Sequence, residues 1–193
     1  VPLTLERGDA GLVVFRKVTA LTARTVAAPR RQVLQTVGGD WTLRFQPDRG
    51  APEGAMSTPL GDWTQSHNSR VRYLSGAGAY TKTIKAPKIR KGARYLLCLG
   101  EVHDIAEVFV NGRQVGLDWR APYEVDVTEA LRVGENHIEI RVVNLWVNRL
   151  IGDAQPGAPK VAWTVAPAYS ARAPLRPSGL IGPVSLVEVQ ADR

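Results

Sequence analysis

The sequence has 193 residues, 44% apolar and 22% charged, which suits one sizeable folded domain of ordinary composition. No apolar run approaches the roughly 18 residues of a membrane-spanning helix, so no membrane partner is expected. The net charge of +7 raises nucleic acid as a partner, but the basic residues are scattered and no nucleic-acid-binding signature accompanies them. The nearest approaches to a basic cluster are Arg30-Arg31 and the group from Lys85 to Arg94, which reads as a solvated loop. Cys98 is the sole cysteine, which excludes an intrachain disulfide framework and a thiolate-rich metal site. In the run Tyr95-Leu96-Leu97-Cys98-Leu99 it reads as a small buried hydrophobe. The chain starts at Val1 without the charged-then-apolar layout of a signal peptide, so a fragment of a longer polypeptide is expected.

In chain order, Leu12 to Val18 and Gln32 to Val37 are β-branched runs, and Trp41 to Phe45 alternates apolar and polar. Pro47 to Gly61 is rich in Pro and Gly and reads as an irregular loop. Ala79 to Ala86 and Ala93 to Leu99 are the next strands. Val108-Phe109-Val110, Asn111-Gly112 and Arg113 to Gly116 then form a hairpin, because Asn-Gly accepts the positive φ angles of a primed turn. Tyr123 to Thr128 follows, with Asp126 expected to fix the turn before Thr128 and Thr128 able to cap a single turn. Past Gly134, Ile138, Ile140 and Val142 alternate against His137, Glu139 and Arg141, and Val184 to Val189 supplies a closing strand.

Many short strands, frequent Gly/Pro turns and no helical periodicity over three turns point to an all-β fold, a β-sandwich or jelly roll. Residues 1–30 read as the end of a preceding domain plus a linker, since Ala20 to Arg31 is rich in small and basic residues. Residues 31–193 then form the sandwich.

Several blocks resemble the galactose-binding-type jelly roll of large glycoside hydrolases. They are Ser75 to Ile84, Leu99 to Val102, Ala106 to Gly112 ending in Val-Asn-Gly, Pro122 to Thr128, and Leu131 to Asn136. This set is shared among β-galactosidase and β-glucuronidase relatives. Val143-Asn144-Leu145-Trp146-Val147-Asn148-Arg149-Leu150-Ile151-Gly152-Asp153 and Ser178 to Val184 resemble large bacterial α-L-rhamnosidases, as does Gly11 to Arg16. The resemblance implies a non-catalytic module that supports a catalytic barrel carried elsewhere on the parent polypeptide. It also implies a rhamnose-containing glycan as partner and a periplasmic or secreted location. An autonomous carbohydrate-binding module is the alternative.

Glycoside hydrolysis generally needs two carboxyl groups at a set separation, and no spacing here singles out a pair among Glu101, Asp104, Glu107, Asp118, Asp126 and Asp153. No catalytic residue is therefore assigned. His67, His103 and His137 lack metal-ligand spacing, so no metal or cofactor is assigned. Jelly rolls of the kind that the chain resembles can hold a structural calcium with loop oxygens, an alternative that stays open although no acidic loop here specifies it. Sugar contact needs aromatic faces beside planar polar groups. Trp119 and Tyr123 in one loop, Trp146, Asn148, Arg149 and Asp153 in another, and Trp163 in the long loop from Ala154 to Pro177 supply them. Each has a structural alternative: Trp119 and Tyr123 as packing residues, Trp146 as a wedge against a neighbouring domain, Arg149 as a pin bridging Asp153. Trp41 and Trp63 read as packing residues.

Overall fold

The computed structural model describes residues 10–14, 16–18, 20, 29–86, 89–90 and 92–190. Two antiparallel sheets face each other. One takes β1 (Arg30–Thr36) and, further along the chain, β5 (Arg94–His103), β8 (Tyr123–Asp126), β10 (Gly179–Gly182) and β11 (Ser185–Gln190), with β11 between β1 and β5. The other runs in the spatial order β3 (Ala55–Thr58), β2 (Trp41–Phe45), β4 (Ala77–Ala86), β9 (Gly134–Val143), β6 (Ile105–Val110), β7 (Arg113–Asp118). The chain is an all-β sandwich, as its strand pattern indicates.

Alternation explains the layers. Ile138, Ile140 and Val142 on β9 and Ala106, Val108 and Val110 on β6 point inward and are fully buried, while His137 and Arg141 lie on the outer face. From the opposite sheet, Tyr95, Leu97 and Leu99 of β5 and Leu186 of β11 meet them. Burying each large apolar side chain stabilises the fold by about 1.5–3 kcal/mol, and this shared core is what joins the sheets. The β6–β7 hairpin turns at Asn111 (φ 53°) and Gly112 (φ 80°), as the Asn-Gly pair requires. Asn111 also accepts from the His137 amide at 3.0 Å and donates to the Ala130 carbonyl at 2.9 Å, tying the turn to its neighbours.

Four local expectations are corrected. The described residues between Leu12 and Val18 form no strand; Leu12, Val13, Val14 and Val18 are exposed, and a lone apolar run without a pairing partner gains nothing from being extended. The rest of residues 1–28 lies almost wholly outside the described residues. Within the supposed irregular loop 47–61, Ala55–Thr58 pairs with β2 as an edge strand, held by ladder bonds that its small residues do not advertise. Cys98 is half-buried on the outer face of β5, its Sγ 3.6 Å from both Arg31 and Glu124 rather than in the core. Finally, Asp126 fixes the turn before Thr128 as expected, but Thr128 does not cap the turn that follows, whose Ala130 and Leu131 amides donate to the Val127 carbonyl. Asp126 Oδ1 accepts from the Thr128 amide at 3.0 Å, and the Thr128 hydroxyl accepts from the Tyr95 amide instead.

Register decides where the loops go. Ala77 and Ile105 both pair with Val143, Ala106 with Asp118, Tyr123 with Gly100, and Gly179 with His103. Residues 103–104, 119–122, 144–178 and 73–76 therefore gather at one end of the sandwich. Ala86–Gly134, Val110–Arg113 and Val189–Arg94 mark the other end.

Candidate functional site

All seven residues expected to contact sugar lie at or near the first of these ends, but they divide by depth. The deep layer begins at Asp62, which caps a one-turn 3-10 helix (Trp63–Gln65) by accepting from the Thr64 amide at 2.9 Å. The same oxygen accepts from the Ser178 amide at 3.0 Å, and the Trp63 amide donates to the Ser178 carbonyl at 2.9 Å. The Trp63 indole meets the Phe45 ring edge-on at 5.3 Å and donates to the Tyr80 hydroxyl at 2.5 Å. Gly179 lets the indole in: its φ is 97°, and a Cβ there would stand 2.6 Å from the Trp63 ring nitrogen. Burial pushes the Tyr80 phenol up to about 12, opposed in part by the Leu180 amide and the Trp63 N–H that it accepts from.

Around Ser178 a buried polar knot closes. Its hydroxyl accepts from Asn144 Nδ2 at 3.0 Å and Asn148 Nδ2 at 2.9 Å and donates to the Arg176 carbonyl at 3.2 Å. Asn144 also donates to the Leu74 carbonyl at 2.8 Å and accepts from the Gly76 amide at 2.9 Å. The Ser75 hydroxyl donates to the Leu145 carbonyl and accepts from the Arg149 amide. Every member gains a partner, the condition under which buried polar groups rigidify a fold rather than destabilise it.

The stretch expected as a second loop is instead the helix α2 (Val147–Asp153), too short at two turns to show a periodic pattern, and it carries this order outward. Asn148 is 1% exposed, donating to the Arg176 carbonyl at 2.7 Å and accepting from its amide at 2.9 Å. Arg149 Nε lies 2.9 Å from Asp153 Oδ1 one turn later, and both side chains are buried. The Nε–H does not point along that line, so the contact is a charge pair rather than a linear hydrogen bond. Asp153 uses its oxygens on the Val161 amide at 3.1 Å and the Ala162 amide at 2.7 Å. Gln155 donates to the Ala171 carbonyl at 2.9 Å. The long loop 154–177, without regular structure, is thus fastened at both ends and in the middle.

The shallow layer is aromatic. Trp163 is 84% exposed, Trp119 69% and Trp146 54%, the last with the Arg49 guanidinium 5.5 Å from its ring centre. Tyr123 is half-buried and donates to the Asp104 carbonyl at 2.7 Å, a packing arrangement. Two cavities open here. One, of about 510 Å³, is lined by Leu150, Asp153, Lys160, Trp163, Thr164 and Tyr169 among others. The second, of about 170 Å³, lies between His103, Asp104, Leu145 and Arg176.

The acids are engaged locally. Glu101 lies 2.9 Å from His103, Glu107 accepts from Gln114, and Asp126 pairs with Arg94 at 2.9 Å. Burial pushes the Asp118 carboxyl up, against the Glu124 amide that it accepts from. Among the described residues no three His, Cys, Asp or Glu side chains group as metal ligands do. Residue patterns alone did not pick out Asn144, Ser75 or Asp62, nor Lys160 and Tyr169 beside the larger cavity. A lone Asn or Ser carries no periodic signal, and only the topology brings residues 62, 75, 144 and 178 together.

Residues 63–176 match the family model of the glycosyl hydrolase 2 galactose-binding domain-like proteins. The chain belongs to this family. The match takes in Trp63, the Asn144 and Asn148 knot, α2 and most of the long loop. Among solved structures, the chain is similar to a rhamnosidase from Novosphingobium sp. PP1Y, with 46% identity and a TM-score of 0.85. The likeness covers 90% of this chain and 17% of that one. A Formosa agariphila protein provisionally named a β-glucuronidase is 37% identical over 139 residues, 71% of this chain and 12% of its own length. An uncultured Clostridium β-glucuronidase shares the fold at 19% identity and a TM-score of 0.59, over 88% of this chain and 30% of that one. The chain therefore spans only a small part of these relatives.

Proposed function

We propose that the chain is a non-catalytic β-sandwich module of a periplasmic or secreted glycoside hydrolase acting on α-L-rhamnosides. Its work is to support the catalytic barrel and to hold the loop end against the glycan. The observation that carries this reading is the 46% identity with a rhamnosidase over 90% of the chain, against 17% of that enzyme. The acids favour a supporting role, since Glu101, Asp118, Asp126 and Asp153 are tied to His, backbone amide or Arg partners. The purified chain is expected to leave aryl α-L-rhamnosides intact. Turnover that disappears on changing one of its own carboxylates would overturn the reading.

The exposed Trp119, Trp146 and Trp163 favour a second reading, an autonomous carbohydrate-binding module that brings an attached enzyme to polysaccharide. It requires glycan binding by the chain alone that Trp119→Ala or Trp146→Ala removes without unfolding.

A further inference from the structure

We infer that the loop 154–173 and the end of α2 build a binding site for a pyranose that carries an anionic substituent, a carboxylate or a sulfate. This rests on the reading of the chain as a glycan-facing module and names the sugar chemistry that it would meet. The cavity, about 510 Å³, is of ligand-site size and holds one ring with room for its substituents. Its wall is apolar and aromatic: Leu150, Ala166 and Pro167 beside Trp163 and Tyr169. Trp163 is 84% exposed, so its indole face is open to the C–H face of a sugar ring without any rearrangement of the core.

The polar lining gives the selectivity. Thr164 and Tyr169 bring hydroxyls that donate to and accept from the hydroxyls of a sugar. Of the two charged groups, Asp153 is already spent on Arg149 and on the Val161 and Ala162 amides. Lys160 forms no ion pair among the described residues. The charge left over in the cavity is therefore positive, which favours an anionic sugar over a neutral one. The loop is also held before any ligand arrives, since Asp153, Gln155 and Asn148 bond its backbone near residues 161, 171 and 176. Such preorganisation lowers the entropic cost of binding.

Methyl β-D-glucuronide, glucose 6-sulfate and methyl α-L-rhamnoside, titrated into the full chain with calorimetry and tryptophan fluorescence as readouts, test this. Saturable binding of both anionic sugars is expected, about fivefold tighter than of the neutral rhamnoside, the gain of one solvent-exposed charge pair. The preference should shrink as salt rises. Trp163→Ala should abolish binding, and Lys160→Gln should bring the anionic sugars down to the level of the rhamnoside. Both side chains are exposed, so an unchanged melting temperature separates loss of the site from loss of the fold. If only one anionic sugar binds, that one is the source of the charge. No saturable binding, binding that survives Trp163→Ala, or a preference that survives Lys160→Gln would overturn the inference. Those results leave the module reading standing, because that reading is decided by turnover.

Discussion

The knot around Ser178 and the loop bearing Trp163 are joined through one short helix, yet they are built on opposite terms. The knot holds Asn144, Asn148 and Ser178 at 7% exposure or less, with each side chain hydrogen-bonded. The loop leaves Trp163 and Val165 open and keeps its shape through a few bonds to its backbone. One region spends polar groups on order, and the other spends order on presenting groups. Local stability should differ accordingly, with the loop opening at lower free energy than the strands beneath it.

Removing the indole packed beside the knot should break this contrast most severely. Trp63→Ala is expected to cost about 3–5 kcal/mol by denaturant unfolding, because the cavity lies between Phe45, Tyr80 and Gly179. Next, Asn144→Ala or Ser178→Ala should each cost about 1–3 kcal/mol through unsatisfied buried partners. The double variant should fall short of the sum, since the two side chains share a hydrogen bond. Gln155→Ala, which frees the Ala171 carbonyl, should leave global stability nearly intact if the loop is a separate unit, while hydrogen exchange at the Ala173 amide accelerates. Equal loss throughout the sandwich would merge the two regions into one. Smallest of all, Trp119→Ala should stay within about 0.5 kcal/mol of the parent.

Alkaline pH sharpens the same contrast. Burial raises the Tyr80 phenol from its usual 10 to about 12 in the folded chain. Its contribution is thus complete below pH 10 and lost as pH rises toward 12, because the unfolded chain releases its proton first. Tyr80→Phe should flatten that part of the stability profile, whereas changes in the exposed loop should leave it in place.

Much of the fold was legible because period-two alternation is a local signal. Ile138, Ile140 and Val142 announce their face without reference to the rest of the chain, and Asn111-Gly112 announces its turn. Edge strand β3 was hidden, since Ala55, Met56, Ser57 and Thr58 alternate nothing and owe their conformation to the ladder with Trp41 to Arg44. The site was legible in the same uneven way. The Arg149–Asp153 pin could be named from its residue types, but the stretch reads as a loop, and only the structure shows the single turn of α2 that closes it. The meeting of Asp62 with Ser178 depends on pairings 116 residues apart, which no local pattern encodes. Trp119, Trp146 and Trp163 could be named from the sequence as candidate sugar contacts, but only the structure shows that they are exposed, that Trp163 borders a cavity and that Trp146 lies under an arginine.

The pairing of Arg30 with Gln190 has an architectural consequence. The first and last strands of the sandwich run side by side, so the backbone enters and leaves at neighbouring points, at the end away from Trp163. A unit wired in this way works as a cassette. A host chain can acquire it, lose it or exchange it for another at the entropic cost of closing a short gap, with little disturbance to the host's own path.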